Sequence, residues 1–205
     1  MQSSSRAYHH GDLGRALLDA AQAIVAESGV DAVTMSAVAK RSGVSSGAPY
    51  RHFKDRFELL RALSERAQER LAERTLAAVA GAPTAIEGFR RSGVAYVRFA
   101  IDEPALFTVL SRGELTVRDS DGPRNPADVR FTAALAELLG GDPQAPLDPR
   151  DPVIQELAAR CMMHGLAHFV VDGMLDVVGV AKEQGERIAE ALTRSLGPPT
   201  MIDEG

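Results

Sequence analysis

What the chain lacks narrows what it can be. Its 205 residues include no tryptophan, one cysteine, three tyrosines and seven phenylalanines. A lone Cys161 excludes a disulfide within the chain and gives no sign of an oxidising compartment. No run reaches the ~18 uninterrupted apolar residues of a membrane span. The start, MQSSSRAYHHGDLG, has no apolar core of signal-peptide length, so a cytoplasmic protein with no membrane partner is expected. No segment alternates apolar and polar residues as a half-buried strand does, which points to an all-α chain. Nucleophile elbow, phosphate loop, HExxH and paired-carboxylate motifs are all missing, and no enzyme is expected.

What is present is a 45% hydrophobic composition, enough to bury a core, and an uneven charge. Residues 1 to 60 hold seven Lys/Arg against six Asp/Glu, whereas residues 61 to 205 hold 16 against 22. The acidic remainder would be repelled by nucleic acid, so it is expected to pack on itself, on a second copy, or around a small molecule.

The positive charge concentrates in one stretch, TMSAVAKRSGVSSGAPYRHF, from Thr34 to Phe53, which reads as two short helices around a tight turn. Thr34 suits the N-cap of the first, Val38 and Ala39 its buried side, and Gly43 the positive-φ stop. Ser45 or Ser46 can cap the second, with Pro49 in its first turn. A helix from Ser46 to Phe53 would present the serine hydroxyls and the bare backbone of Gly47 to a groove, with Ala48 and Pro49 able to meet a thymine methyl. Between Lys40 and Arg56 stand Lys40, Arg41, Arg51, Lys54 and Arg56 against Asp55 alone. That is the local charge a polyanion surface needs.

The residues Thr34, Ala39, Gly43, Val44 and Ser45, the ending Tyr50-Arg51-His52-Phe53, and Leu59-Leu60 beyond it resemble the TetR family of bacterial transcriptional regulators. Tyr-Arg-His-Phe is similar to that family's Tyr-x-His-Phe; Phe57 departs, standing where an acid is common, and Arg56 stands where lysine is more frequent. The resemblance implies a three-helix helix-turn-helix domain that binds a pseudo-palindromic double-stranded DNA operator as a homodimer, with Tyr50 and His52 reaching phosphates. It also implies a ligand-responsive repressor, in which a bound small molecule tilts the long helix after Asp55 and changes the separation of two readers.

The rest of the chain reads as amphipathic helices. Residues 1–11 form a polar arm with Arg6, Tyr8, His9 and His10 near the DNA side, and Asp12 caps a first helix ending at Gly29. Asp55 opens a long helix to about Ala80, with Phe57, Leu60, Leu63, Ala67 and Leu71 inward. Further helices follow over 84–101, 104–110 and 127–139, after a loop at 113–126. Asp151-Pro152 is an N-cap and N1 pair for a helix over 153–178, the most apolar of the chain, and Lys182 to Leu196 is the last helix. The expected organisation is a reader over 1–55, a six-helix dimerisation and ligand-binding domain over 56–197, and a tail over 198–205.

Pro104-Ala105-Leu106-Phe107 and His164-Gly165-Leu166-Ala167 look like the C-terminal domain of a TetR branch named for a Trp-His-Gly signature, here without the tryptophan. Phe99, Phe107, Met162, Met163, His164, His168 and Phe169 are the candidate lining of a pocket for a largely apolar effector, with the histidines as polar handles. His164 and His168 stand at i, i+4, a spacing that can hold a divalent metal, but packing or pocket lining is the simpler reading, and adjacent His9 and His10 cannot converge on one ion. No metal or cofactor is expected. Two other readings remain: a small-molecule binder whose reader no longer engages DNA, and an enzyme using the two histidines.

Overall fold

The computed structural model describes residues 10–115, 126–141 and 146–195, which contain no strand. Nine helices follow in order among them: α1 (His10–Ser28), α2 (Met35–Arg41), α3 (Arg56–Val79), α4 (Ala85–Asp102), α5 (Pro104–Leu110), α6 (Pro126–Leu139), α7 (Pro152–Val171), α8 (Met174–Val177) and α9 (Gly185–Ser195). The arm to residue 9, most of the expected 113–126 loop and the 198–205 tail lie outside the described residues. The chain divides into two compact units, Met1–Gln68 with Pro104–Asp119, and Glu69–Glu103 with Ser120–Gly205.

In the first unit α1 packs on α2 and α5. Leu17 and Ala21 of α1, Val33, Val38 of α2, Leu59 and Leu63 of α3, and Leu106, Phe107 and Val109 of α5 are 0% exposed. Each large apolar side chain so buried stabilises the unit by ~1.5–3 kcal/mol relative to exposure. Arg66 ties α3 to α1 through Asp19 at 2.6 Å. α1 begins at His10, so Asp12, expected as its cap, lies within its first turn. Phe57, expected inward, is 54% exposed, because the buried stripe of α3 starts at Leu59 and Leu60.

The second unit is built on α4, α7 and α9, which pack pairwise on one another. Val97, Met163, Leu166, Val170, Leu175 and Ala189 form its buried cluster, edged by Val94, Tyr96, Met162, Ile188 and Leu192. Two glycines set how closely these helices approach. A Cβ on Gly93 would lie 3.2 Å from Met163 Cγ and 3.3 Å from Thr193 Cγ2, and one on Gly185 would lie 2.9 Å from Val170 Cγ2. Asp151 caps α7 by accepting from the Val153 N–H at 2.8 Å, with Pro152 at the first helical position, as the sequence predicts. α7 does not continue to 178. Gly173 adopts a left-handed φ of 70°, its N–H reaching Val170 O, and the chain restarts as the short α8. The final segment likewise opens with a 3-10 turn over Lys182–Gln184 before α9 begins.

Candidate nucleic-acid interface

The helix-turn-helix is assembled from local hydrogen bonds. Thr34 has extended backbone, and its hydroxyl accepts from the Ala37 N–H at 3.1 Å, which starts α2. At the other end Gly43 takes φ 68°, a left-handed conformation open to glycine without strain. Its N–H reaches Lys40 O at 3.3 Å while the Val44 N–H reaches Ala39 O at 3.1 Å, the paired bonds of a Schellman stop. α2 therefore ends where its sequence says it should.

The second helix is shorter than the expected span of Ser46 to Phe53. Regular structure is confined to one 3-10 turn, Pro49–Arg51, and no side chain caps it. Four donors explain the tight winding: the N–H groups of Ala48, Arg51 and His52 bond to the carbonyls of Ser45, Ala48 and Pro49, and that of Phe53 also to Pro49 O. Pro49 is buried and lacks an N–H, so an α-helix through this point would have one fewer bond. Ser45 and Ser46, expected as caps, are exposed instead, and among the described residues their hydroxyls take no partner. Gly47 has nothing within 4 Å of where a Cβ would stand, which leaves its backbone open to close approach. Ala48 is half-buried, Phe53 is core at 9% exposure, and Tyr50 stands out at 57%. His52 is half-buried, with Nδ1 3.5 Å from a Cβ built on Gly14, so its ring lies against α1.

The five cations of this stretch are not equivalent. Arg41 forms a two-pronged pair with Glu27, at 2.6 and 2.5 Å. That bonding holds the Glu27 carboxyl below its usual range and raises the guanidinium. Arg56 turns inward: Nε donates to Val33 O at 2.6 Å and Nη2 to Val30 O at 2.9 Å, gripping the 3-10 turn between α1 and α2. Its donors are thereby taken up by part-buried backbone carbonyls, although the sequence counts it with the cations of the polyanion surface. Lys40, Arg51 and Lys54 are exposed and have no ion pair among the described residues. Asp55 caps α3 by accepting from the Glu58 N–H at 2.9 Å, while Glu58 accepts from the Lys54 N–H at 2.6 Å. Composition could not separate these uses of charge; Glu27, fourteen residues from Arg41, gave no local signal.

The candidate pocket residues scatter. Phe99 is fully buried in the second unit, with the Arg74 guanidinium 5.6 Å above its ring. Arg74 and Arg70 both bind Glu103, at 3.2 and 2.8 Å. Phe107 is fully buried in the first unit. Met163 is core and Met162 packs against it. His164 and Phe169 are exposed and His168 half-buried. Helical phase is the reason: 163, 166, 167 and 170 face inward, so 161, 164, 165, 168 and 169 turn outward. The Tyr96 hydroxyl lies 2.7 Å from His164 Nδ1, the two histidine rings meet edge-on at 4.7 Å, and His168 Nδ1 is 3.6 Å from Asp172 Oδ2. Among the described residues no group of three or more His, Cys, Asp or Glu is arranged to hold a metal ion. No described helix is long and apolar enough to cross a membrane.

Comparison with known proteins agrees with both halves. Residues 17–63 match the family described as bacterial regulatory proteins, tetR family, and residues 89–196 match one described as tetracyclin repressor-like, C-terminal domain. No curated protein matches the chain. Among solved structures, one described as a protein with unknown function from Rhodococcus sp. RHA1 is 28% identical, with 94% of this chain and 99% of that one covered and a TM-score of 0.64. A bacterial regulatory protein in the tetR family from Rhodococcus RHA1 is 22% identical over 90% of this chain and 97% of its own, TM-score 0.60. The fatty acid degradation regulator FadR from Bacillus halodurans shares the fold at 16% identity, over 90% and 96% of the two chains, with a TM-score of 0.58.

Proposed function

The chain belongs to the TetR family of DNA-binding transcriptional regulators, and from that premise we propose that it is a ligand-responsive repressor acting as a homodimer on a pseudo-palindromic operator. The observation that carries the DNA reading is the open backbone of Gly47, set beside two serine hydroxyls and three exposed cations that take no partner among the described residues. Ser45, Ser46, Gly47 and Ala48 select base pairs in the major groove. Tyr50, Arg51, Lys54 and Lys40 hold phosphates and carry no sequence information. Thr34, His52 and Arg56 shape the reader rather than touch DNA.

Dimerisation is supported by what the second unit leaves uncovered. The outer face of α7 carries Ala158, Cys161 and Phe169, and beyond it Met174, Val177 and Val178 are 45, 78 and 69% exposed. A second copy covering α7 and α9 would bury these in a four-helix seam. The effector is an apolar small molecule held in the C-terminal part, and no cofactor or catalytic step is involved.

The test is a DNA selection from a random pool, followed by titration of wild type, Gly47→Val and Lys54→Ala against selected and random duplexes at several salt concentrations, with sedimentation of the same protein. Wild type should prefer the selected duplex and sediment as a dimer. Gly47→Val should lose roughly tenfold or more of specific affinity with little change in non-specific affinity. Lys54→Ala should weaken both and make the salt slope shallower by about two, one contact per subunit. Equal wild-type affinity for the two duplexes, or a stable micromolar monomer, overturns the proposal.

A further inference from the structure

The sequence counts the helix over 104–110 with the dimerisation and ligand-binding domain, whereas its packing sets it with the reader. Pro104–Asp119 falls in the same compact unit as Met1–Gln68, α5 packs on α1, and Leu106, Phe107 and Val109 are fully buried there. Beyond the helix the backbone stays bonded: the Arg112 N–H donates to Val109 O at 3.2 Å, the Leu115 N–H to Arg112 O at 2.9 Å, and Leu115 is buried. This anchors Arg112 beside the 3-10 turn Val30–Ala32, which joins α1 to α2. Arg112 Nη1 donates to Asp31 Oδ1 at 3.2 Å. Arg56 Nη2 lies 3.8 Å from the same oxygen while it donates to Val30 O, and Arg56 Nε donates to Val33 O. One carboxylate therefore stands between two guanidiniums, from α3 and from the end of α5. Where the caps of the reader act within a few residues, the Arg112 contact joins positions 81 apart.

Asp31 is 84% exposed, and ion pairs so exposed add little to stability. What such a pair can do is fix where a short turn sits. Thr34, whose hydroxyl starts α2, comes three residues after Asp31, with the gripped carbonyl of Val33 between them. A shift of the turn moves the start of α2, and α2 leads through Gly43 into Ser45, Ser46 and Gly47. We infer that Asp31 and Arg112 are positioning residues for DNA binding: residues 104–115 complete the reader, and the pair holds the turn that places α2 and the base-reading segment after it. Neither side chain is called on to touch DNA. The sign of one substitution separates this role from plain charge. An acid near a DNA surface repels phosphate, so on electrostatics alone the loss of Asp31 strengthens binding. If Asp31 holds the turn, its loss weakens binding.

The test compares full-length wild type with Asp31→Asn, Arg112→Gln and the double variant. Each is titrated against the selected and a random duplex, melted, and followed by hydrogen exchange at the Ala37 amide, which bonds to Thr34 Oγ1. Asp31→Asn should bind the selected duplex roughly fivefold more weakly while its affinity for random DNA holds or rises slightly. Its salt slope should not change, since no phosphate contact is lost. Arg112→Gln should also weaken binding to the selected duplex, and the double variant should be no weaker than Asp31→Asn alone, because either substitution breaks the same contact. Exchange at Ala37 should quicken in all three, with melting temperatures within about 2 °C of wild type. Unchanged or tighter binding of the selected duplex by Asp31→Asn, additive losses in the double variant, or unchanged exchange at Ala37 overturns the inference. So does a large fall in melting temperature with equal losses on both duplexes, which marks the pair as holding the fold alone. If wild type does not distinguish the duplexes, the operator reading has failed, and exchange at Ala37 still decides whether the pair holds the turn.

Discussion

The two units solve the same problem, holding short helices in place, by opposite means. The first relies on devices local in sequence: a threonine cap and a Schellman stop around α2, and an Asp55 cap on α3 beside Glu58, which accepts from the Lys54 N–H. The second relies on close approach between segments far apart in the chain, where Gly93 admits Met163 and Thr193, and Gly185 admits Val170 and Ile101. The reader can therefore keep its outer surface free for a partner. The body gives up surface to its own packing and leaves an apolar patch uncovered at Phe169, Met174, Val177 and Val178.

The widest gap between the units should appear on filling the tightest of these approaches. Gly185→Leu places side-chain atoms where a Cβ alone would be 2.9 Å from Val170 Cγ2. Overpacking of this kind costs about 3 kcal/mol, read as a lower denaturation midpoint in urea. Gly47→Val, in the open, should leave that midpoint unchanged within about 0.5 kcal/mol. Equal losses from the two glycines would erase the distinction.

This division also explains what was legible in the sequence. Thr34, Gly43 and the Asp151-Pro152 pair announce themselves because each acts on backbone within four residues of itself, and residue type alone reports the device. The second helix of the reader was overestimated because capping residues and a proline are as compatible with a single 3-10 turn as with two α turns. In the body, amphipathic spacing located α4 and α9 with their buried faces, and located α7 but not its rotation. The expected lining residues His164, His168 and Phe169 turn outward because a helix rich in apolar and small residues gives no clear phase, and only contact with α4 and α9 sets it. Gly173 falls inside the expected helix over 153–178, although its left-handed φ ends the observed one. The role of Arg56 needed the third dimension, since nothing in a cationic run separates the arginine that grips a turn from the lysine that faces solvent.

A second, smaller effect sharpens that last distinction. Arg56→Ala removes two charge-assisted bonds to part-buried carbonyls and should destabilise the protein by ~2 kcal/mol, with any loss of DNA affinity following from the loosened turn. Lys54→Ala should leave stability within about 0.5 kcal/mol of wild type and act on DNA alone. Arg56→Lys is the control, because an ammonium cannot reproduce the two-pronged fork and should recover less than half of the loss. Unchanged melting of Arg56→Ala, together with a shallower salt slope, would return Arg56 to the phosphate contacts.

The smallest expected effect lies on the outer face of the body, where Tyr96, His164, His168 and Asp172 line up across α4 and α7. Burial pushes the Tyr96 phenol up to about 12, so it stays protonated through the neutral range. Its hydroxyl donates to His164 Nδ1 when the imidazole is the Nε2–H tautomer. A proton on Nδ1 would force the phenol to turn and accept instead. Partial burial, and secondarily the neighbouring His168, hold the His164 pKa below its usual value. For a base shifted down in the folded state, the unfolded chain takes up its proton first as pH falls. The stability linked to His164 is therefore fully present above about pH 6.5 and is lost as pH drops through the window between that unfolded value and the lower folded one. The group is largely solvent-screened, so the change should be about a degree in melting temperature. Other groups titrate in the same interval, and the informative quantity is the difference between wild type and His164→Asn. Wild type should lose slightly more than the variant between pH 7.5 and 5.5. Parallel curves over that interval would show that the histidine at this face is solvated rather than held by Tyr96, and the order seen in the second unit would stop at its core.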